Sequence, residues 1–248
     1  MIGLDLPAIS LDELTEVADL QRRVDRKYLL PATALPGLLA ALPAGARILQ
    51  IDGARTFSYV SLYLDTPDLL AYRLAGQRRR RRFKVRHRRY ADSGASWLEV
   101  KTRDARGTVK RRIPSDVAHP LGPDGRLFVA ATLEHEGLEV DPDVLVPVLR
   151  TSYHRTTLHL PGDRARLTID VDLALDDGGA SLRWDGLAVV ETKAGRHPTA
   201  VDRHLWRSGV RPARISKYGT GLAALHPDLP DLKWHRTLTH DIPAALAA

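Results

Sequence analysis

The chain has 248 residues, which is long enough to bury a sizeable core, and we expect one large domain rather than two small ones. It contains no cysteine, which excludes disulfides, thiolate catalysis and cysteine-ligated zinc, and no apolar run approaches the roughly 20 residues of a membrane-spanning helix. Its formal net charge of +7 favours a polyanionic partner, which leaves nucleic acid, anionic lipid, and polyphosphate or a nucleotide open.

The first predicted elements are a capped helix and a strand with one charged side. Ser10 and Glu13 fit a capping box, so a short helix is predicted from Leu11 to about Leu20. The N-terminus lacks the basic flank and apolar core of a signal peptide, so the cytoplasm is the expected location. The next predicted elements are a strand over 22–30, a helix over 33–42, strands over 47–52 and 56–65, and a short helix over 66–74.

The most basic stretch of the chain is RRRRRFKVRHRR, which covers Arg78–Arg89. In a strand successive side chains alternate, so Lys84, Arg86 and Arg88 share one face and the apolar residues between them share the other. Taken alone, this segment fits the solvated face of an ordinary amphipathic strand. The rest of the chain decides between that interpretation and a ladder of cations aimed at a polyanion.

The later strands repeat the alternation with charges of both signs on one face, as in Glu99 with Lys101 and Glu191 with Lys193. Because a solvated face rarely repeats such pairs in register, we predict an α+β fold: an eight-stranded antiparallel β-barrel with a charged lumen and helices packed outside. The strands are predicted over 83–90, 96–103, 108–113, 151–160, 164–173, 181–184 and 187–193. Helices are predicted over 125–135, 142–150, 198–207 and 218–225.

A lumen rich in arginine and lysine with a few carboxylates suits a phosphate chain and a divalent metal, because guanidinium groups bind phosphate oxygens in pairs and carboxylates bind hard cations. Nucleic acid fits less well, since readers of single strands interleave cations with aromatic rings and this chain is only 6% aromatic. The run Gly219–Ala224 resembles part of a dinucleotide fingerprint, but no long apolar strand precedes it, so we interpret it as the start of a helix.

Nine motifs carry a resemblance to a known family. In chain order they are VDRKYLL, SLYLDTPDLLAYR, RRFKVRHRRY, LEVKTR, TVKRR, YHRTTL, RLTIDVDL, VVETK and ISKYGTG. They resemble the VTC domain, the polyphosphate polymerase domain of the vacuolar transporter chaperone complex and its bacterial relatives, within the CYTH-like triphosphate tunnel metalloenzymes. The resemblance covers about Arg22 to Trp234 and implies an eight-stranded tunnel domain over 22–235. From the residues themselves we expect the helix within 1–21 to pack on or plug the tunnel, and a C-terminal tail over 236–248 to follow Trp234, its single expected anchor.

The resemblance also implies the residues of the site. The catalytic residues would be Lys27, Lys84, Arg86, Arg155, Arg166 and Lys193, and further phosphate ligands would be Arg73, Lys101, Lys110, Ser216 and Lys217. Glu191 would hold Mn²⁺ or Mg²⁺, with Glu99, Asp170 and Asp172 as secondary candidates for the metal or for orienting the cations. Arg78–Arg82 would form a rim that draws polyanions in, and Arg88 would lie further out.

The activity implied is synthesis of polyphosphate from the γ-phosphate of ATP, so ATP and polyphosphate are the expected partners, with no specific nucleic acid. One alternative is hydrolysis of triphosphate or polyphosphate in the same tunnel. Hydrolytic relatives begin with an ExExK motif, where this chain has Arg23, Asp25 and Lys27, and the lost carboxylate weakens that alternative. A third hypothesis is a non-catalytic module that binds polyphosphate or a nucleotide.

Overall fold

The computed structural model of the protein describes residues 5–17, 24–103, 107–116 and 121–247. The predicted end of the first helix at Leu20, the start of the next strand with Arg23, and the turn residues Ala105 and Arg106 lie outside these ranges. The helices are α1 Leu11–Val17, α2 Leu35–Ala40, α3 Leu70–Gly76, α4 Pro123–His135, α5 Ala200–Arg207, α6 Lys217–Leu225 and α7 Ile242–Ala247. The strands are β1 Ala8–Ile9, β2 Val24–Pro31, β3 Arg47–Leu49, β4 Phe57–Asp65, β5 Arg82–Tyr90, β6 Ser96–Arg103, β7 Thr108–Pro114, β8 Val146–Leu160, β9 Ala165–Asp176, β10 Ser181–Trp184 and β11 Leu187–Ala194.

Eight strands form the main path of one sheet, in the order β2-β11-β9-β8-β4-β5-β6-β7, and every neighbouring pair on it is antiparallel. The predicted α+β fold with an eight-stranded antiparallel sheet is confirmed. The sheet curves round a charged interior, since Asp25 and Lys27 of β2 act electrostatically on Lys101 of β6, near the opposite end of the path.

The predicted closure of the barrel is wrong in one respect. No pairing joins β2 to β7 within the described ranges, so the wall is open between the two ends of the path. The reason lies at the edge of β2, where the backbone N–H of Ala213 donates to the carbonyl of Lys27 at 2.7 Å. The segment before α6 therefore takes part of the edge that a closing strand would need.

Apolar residues on the outer face of the sheet pack against helices, as predicted. The cluster under α2 and α5 includes Leu35, Leu167 and Val201, and the cluster under α4 includes Val100 and Val129. Polar and charged residues consequently face the interior, because neighbouring side chains on a strand alternate.

One end of the interior is filled by the C-terminal part of the chain. Tyr218 of α6, Trp234, and Ile242 and Ala245 of α7 are all buried in a cluster with Leu29 of β2. Trp234 was the single anchor predicted for the tail, and the structure adds Ile242 and Ala245 of α7 as two more. The division at residue 236 stays a prediction. In the described ranges, no helix has the length and apolar character that crossing a membrane requires.

The N-terminal helix is short and lies beside β3. Ser10 caps it, since its Oγ accepts from the backbone N–H of Glu13 at 3.2 Å, and Leu14 is buried against Leu49. The predicted capping box is only half formed, because the carboxylate of Glu13 pairs with Arg47 instead of returning to Ser10.

The predicted helix over 142–150 is wrong. A single 3₁₀ turn covers Pro142–Val144, and β8 begins at Val146. The reason is tertiary: Val146 pairs with Asp65 and Pro147 with Leu64, so the local helical spacing yields to the ladder with β4. Strand β8 is therefore longer than the pattern predicted.

Candidate functional site

Cross-strand register sets the predicted ladder side by side with two others. Lys84 of β5 lies opposite Lys101 of β6, which lies opposite Lys110 of β7, and in the next row Arg86 lies opposite Glu99. Like charges directly opposite one another destabilise a sheet unless something neutralises them. The fold therefore tolerates repulsion between Lys84, Lys101 and Lys110.

Glu99 organises one group of cations. Its carboxylate accepts from Nε of Arg86 at 2.7 Å and pairs with the ammonium of Lys110. Burial would raise the pKa of Glu99, but Arg86, Arg88 and Lys110 together lower it to about 2. Although Glu99 is only 2% exposed, this lowered pKa keeps it ionised, and it holds Arg86 and Lys110 in fixed orientations.

Asp170 organises a second group on β9. It accepts from Nε and Nη2 of Arg155 at 2.6 and 2.8 Å, and it pairs with the ammonium of Lys217 at the start of α6. That ammonium also lies 4.2 Å from the centre of the Tyr153 ring. Burial opposes ionisation of Asp170, yet Arg155 and Lys217 hold its pKa well below the ordinary range.

Glu191 forms a third group with Lys193 on β11, and their charged atoms are 3.0 Å apart. The strand places Glu191 opposite Lys27 and Lys193 opposite Asp25. Burial would raise the pKa of Glu191, but Lys193, Lys27 and Arg155 hold it well below its ordinary value. This carboxylate is therefore charged and central to the basic interior.

Lys27, Lys84 and Lys101 line one cavity, and we call these three residues the lysine row. They differ from the three carboxylate groups because no carboxylate lies within ion-pair distance of them in the described part of the chain. Lys84 donates to Oγ of Ser216 at 2.7 Å, and Lys27 donates to the carbonyl of Ile215 at 3.3 Å. Burial and the neighbouring Lys27 and Lys233 hold the pKa of Lys84 well below its usual range. Burial, with Arg86 and Lys27, lowers the pKa of Lys101 to about 8.

Ser216 also begins α6. Its Oγ accepts from the backbone N–H of Gly219 at 3.3 Å, so one hydroxyl both caps the helix and contacts Lys84. The prediction that Gly219–Ala224 belongs to a helix is confirmed. A helix N-terminus beside unneutralised lysines adds partial positive charge to the same region.

The model of the VTC domain family matches residues 22–226 of this chain. The chain belongs to the VTC domain family. No curated protein matches its sequence.

Solved structures resemble the chain at low sequence identity. A proposed adenylate cyclase from Bacillus halodurans is 13% identical, with a TM-score of 0.51 over 79% of this chain and 95% of that one. A proposed adenylyl cyclase from Hippeastrum, described as having a dominant triphosphatase activity, is 14% identical, with a TM-score of 0.47 over 84% of this chain and 98% of that one. The first likeness shows that this VTC domain shares its fold with that structure, and at this identity it shows the fold alone.

In this VTC domain, ten of the twelve predicted site residues belong to the groups around Glu99, Asp170 and Glu191 or to the lysine row and its contact Ser216. They are Lys27, Lys84, Arg86, Lys101, Lys110, Arg155, Glu191, Lys193, Ser216 and Lys217. Glu99 and Asp170 each pair with two cations, so their contacts fit the role of orienting basic residues rather than that of binding a metal.

Two predicted site residues, Arg73 and Arg166, and the secondary candidate Asp172 make other contacts. Arg73 is exposed on α3, where it pairs with Asp68, because the helix turns that face to solvent. Arg166 lies directly opposite Lys193 in the β9–β11 register, and its Nη2 donates to the carbonyl of Leu14 in α1 at 3.1 Å. Asp172 is exposed beside His154, at an irregularity in the β8–β9 register where its own φ is 55°.

Other cations of the VTC domain lie beside the predicted catalytic and phosphate-binding residues. Arg88 is 7% exposed and donates to the hydroxyl of Tyr153 at 3.1 Å, so it lies inside rather than further out. Its phase with Arg86 was the signal that could have placed it. Further cations line the same cavity as the lysine row: Arg78 and Arg82 of the predicted rim, and Arg103, Arg214 and Lys233.

The carboxylates limit how a metal can bind. The described ranges contain no group of three acidic or histidine side chains arranged to hold a metal. Mg²⁺ in phosphate-transfer sites commonly takes one or two protein carboxylates and completes its shell with phosphate oxygens and water. Glu191, with Asp25 opposite its neighbour Lys193, fits such a metal, whereas a site made of protein ligands alone does not fit.

Proposed function

We propose that this VTC domain transfers the γ-phosphate of ATP to the end of a polyphosphate chain bound in the tunnel. The observation that carries the proposal is the row of Lys27, Lys84 and Lys101, which lies beside oriented arginines and has no carboxylate within ion-pair distance in the described ranges. Such a row binds an anion with several closely spaced charges. Family membership supports triphosphate or polyphosphate as that anion.

Phosphoryl transfer asks the protein for alignment and charge neutralisation rather than a covalent nucleophile. Arg86 and Arg155 are already oriented by Glu99 and Asp170, so little reorganisation is needed when phosphate charge shifts during transfer. Lys193 and Lys217 supply point charges that are held by the same means. The site thus aligns the donor phosphate with the terminal oxygen of the acceptor chain.

Glu191 is the residue that would hold a divalent metal, with Asp25 nearby. When bound together with a nucleotide, Mg²⁺ or Mn²⁺ neutralises phosphate charge. The protein's own cations perform the same task on the oxygens that the metal does not reach.

The test is an assay of the purified protein with ATP and Mn²⁺ or Mg²⁺, followed by sizing of the products. We expect long-chain polyphosphate from the native protein. Arg86→Gln should lower the rate by on the order of 10²-fold, as for other electrostatic stabilisers. Arg89→Gln on the same strand is the matched control, because Arg89 is exposed and lies outside the site, and it should retain the native rate. Absence of both polyphosphate and released phosphate would reject an enzyme.

Hydrolysis is a second candidate, and the position of Asp25 favours it. Asp25 occupies one acidic position of the hydrolytic motif and lies opposite Lys193, next to Glu191. Water would then replace the phosphate chain as acceptor, and ATP would yield ADP and orthophosphate with no polyphosphate. A binding module without activity would bind polyphosphate tightly, show no turnover, and keep its affinity in a Glu191→Gln variant.

A further inference from the structure

A cavity of about 600 Å³ contains the lysine row and extends beyond it along β5 and β6 to Arg82 and Arg103. Besides the lysine row, five more cations line this cavity: Arg78, Arg82, Arg103, Arg214 and Lys233. No aspartate or glutamate lies among the described residues that line it. The volume falls within the range of ordinary ligand pockets, yet the lining has a single sign of charge.

The two arginines at the mouth repel each other. Arg82 and Arg103 lie directly opposite on β5 and β6, an arrangement that costs stability without an anion between them. Arg82 donates to the carbonyl of Arg79 at 2.6 Å, and no carboxylate pairs with Arg82 or Arg103 in the part of the chain described. The pair is thus a cost that a bound anion would remove.

Lys233 approaches the same space from the C-terminal segment. Its ammonium donates to the carbonyl of Ala75 and lies 4.8 Å from the centre of the Trp234 ring. Burial, together with Arg82, Arg103 and Arg214, lowers the pKa of Lys233 to about 8. Cations of the β5–β6 pair, of the segment before α6 and of the C-terminal segment therefore line one cavity.

The lining favours phosphate over nucleic acid. Its two aromatic residues, Phe83 and Trp234, are 1% and 0% exposed. No ring in the cavity is therefore open for a base to stack on, and stacking is what readers of single strands use.

We propose that Arg78, Arg82, Arg103, Arg214 and Lys233 form a second phosphate subsite, which holds the part of a polyphosphate chain that extends beyond the lysine row. The subsite rests on the proposed function for its ligand and makes the protein select long polyphosphate over triphosphate. A triphosphate fills the lysine row and leaves these cations without a partner, whereas a longer chain reaches both.

The test is equilibrium binding of tripolyphosphate and of long-chain polyphosphate, measured without ATP or metal. Arg82→Gln/Arg103→Gln should weaken binding of the long chain by about tenfold or more, since each charged hydrogen bond contributes a factor of that order. Binding of tripolyphosphate should change by less than about threefold. The matched control is Arg207→Gln/Arg211→Gln, which removes two exposed arginines outside the cavity and should leave both affinities near native.

Three results would overturn the subsite. They are equal weakening for the two ligands, equal weakening in the control, and tighter binding of single-stranded RNA than of long polyphosphate. Removing a like-charged pair should leave the melting temperature unchanged or raised, and Arg214→Gln gives a second, single-site check of the same selectivity. Because binding is measured without turnover, failure of ATP to yield polyphosphate is a separate result.

Discussion

Lys101 is a partly buried cation without a carboxylate at ion-pair distance in the described ranges. Arg86 and Lys27 both repel it, and burial removes part of its hydration. Arg86 and Lys110, in contrast, are held by Glu99. At the scale of single residues, the site thus contains two kinds of cation: those fixed by a carboxylate, and those kept at a cost to stability for an anion.

Replacing Lys101 with methionine should therefore stabilise the ligand-free protein and weaken its function. We expect the free energy of unfolding to rise by about 1–3 kcal/mol, because the desolvated charge disappears while the aliphatic stem is kept. Affinity for tripolyphosphate should fall about tenfold with the loss of one charged contact. Chemical denaturation and binding titrations measure the two effects, and Lys101→Arg is the control that keeps the charge. A less stable variant with native affinity would contradict the interpretation.

At the scale of elements, helix α6 fits against the C-terminal segment at a glycine. A Cβ atom on Gly219 would clash with the indole of Trp234, which is fully buried. Ser216 and Lys217, at the start of the same helix, contact Lys84 and Asp170. Packing behind the helix and binding in front of it are consequently coupled.

Gly219→Ala should destabilise the protein by about 1–3 kcal/mol, the usual cost of overpacking a core. Gly37→Ala is the matched control in α2, where a Cβ would meet nothing within 4 Å. There the substitution should be neutral or stabilising by up to about 1 kcal/mol, because alanine favours the helix. Urea denaturation of both variants gives the comparison. Equal stability of the two would show that Trp234 moves away freely.

The strands were more predictable than the helices. Alternation placed β6 and β10 over their observed residues, and the phase of Lys84 and Arg86 put them inside, since a period of two is a local property. The helix predicted over 142–150 failed because pairing with β4 is decided by a distant segment. Lys233 had no local signal, as it follows a turn and reaches the cavity only through the packing of Trp234.

At the scale of the whole molecule, stability and binding should respond to pH with opposite signs. Lys101 and Lys233 each have a folded-state pKa of about 8, against about 10.4 in the unfolded chain. Below about pH 8 both states hold the protons. Between about pH 8 and 10.4 only the unfolded state holds them fully, so the free energy of unfolding should rise with pH across that window.

Affinity for polyphosphate should fall across the same window, because the ligand-free protein loses positive charge. The measurements are denaturation without ligand, and binding titrations at constant ionic strength, at several pH values from about 7 to 10. Lys101→Met should flatten both profiles. Parallel rather than opposed profiles would show that these lysines do not govern the response.

The cavity takes its walls from distant parts of the chain. The hydrogen bond between Lys84 and Ser216 joins residues separated by 132 positions, and the ammonium of Lys233 donates to the carbonyl of Ala75 across 158 positions. Because synthesis proceeds from the N-terminus, Lys84, Arg86 and Arg88 leave the ribosome long before Ser216 and Lys233. Contacts so remote in sequence also form slowly. The nascent polypeptide therefore exposes its cations before it has a pocket that can select among anions. It acquires selectivity for phosphate only when its C-terminal segment has packed.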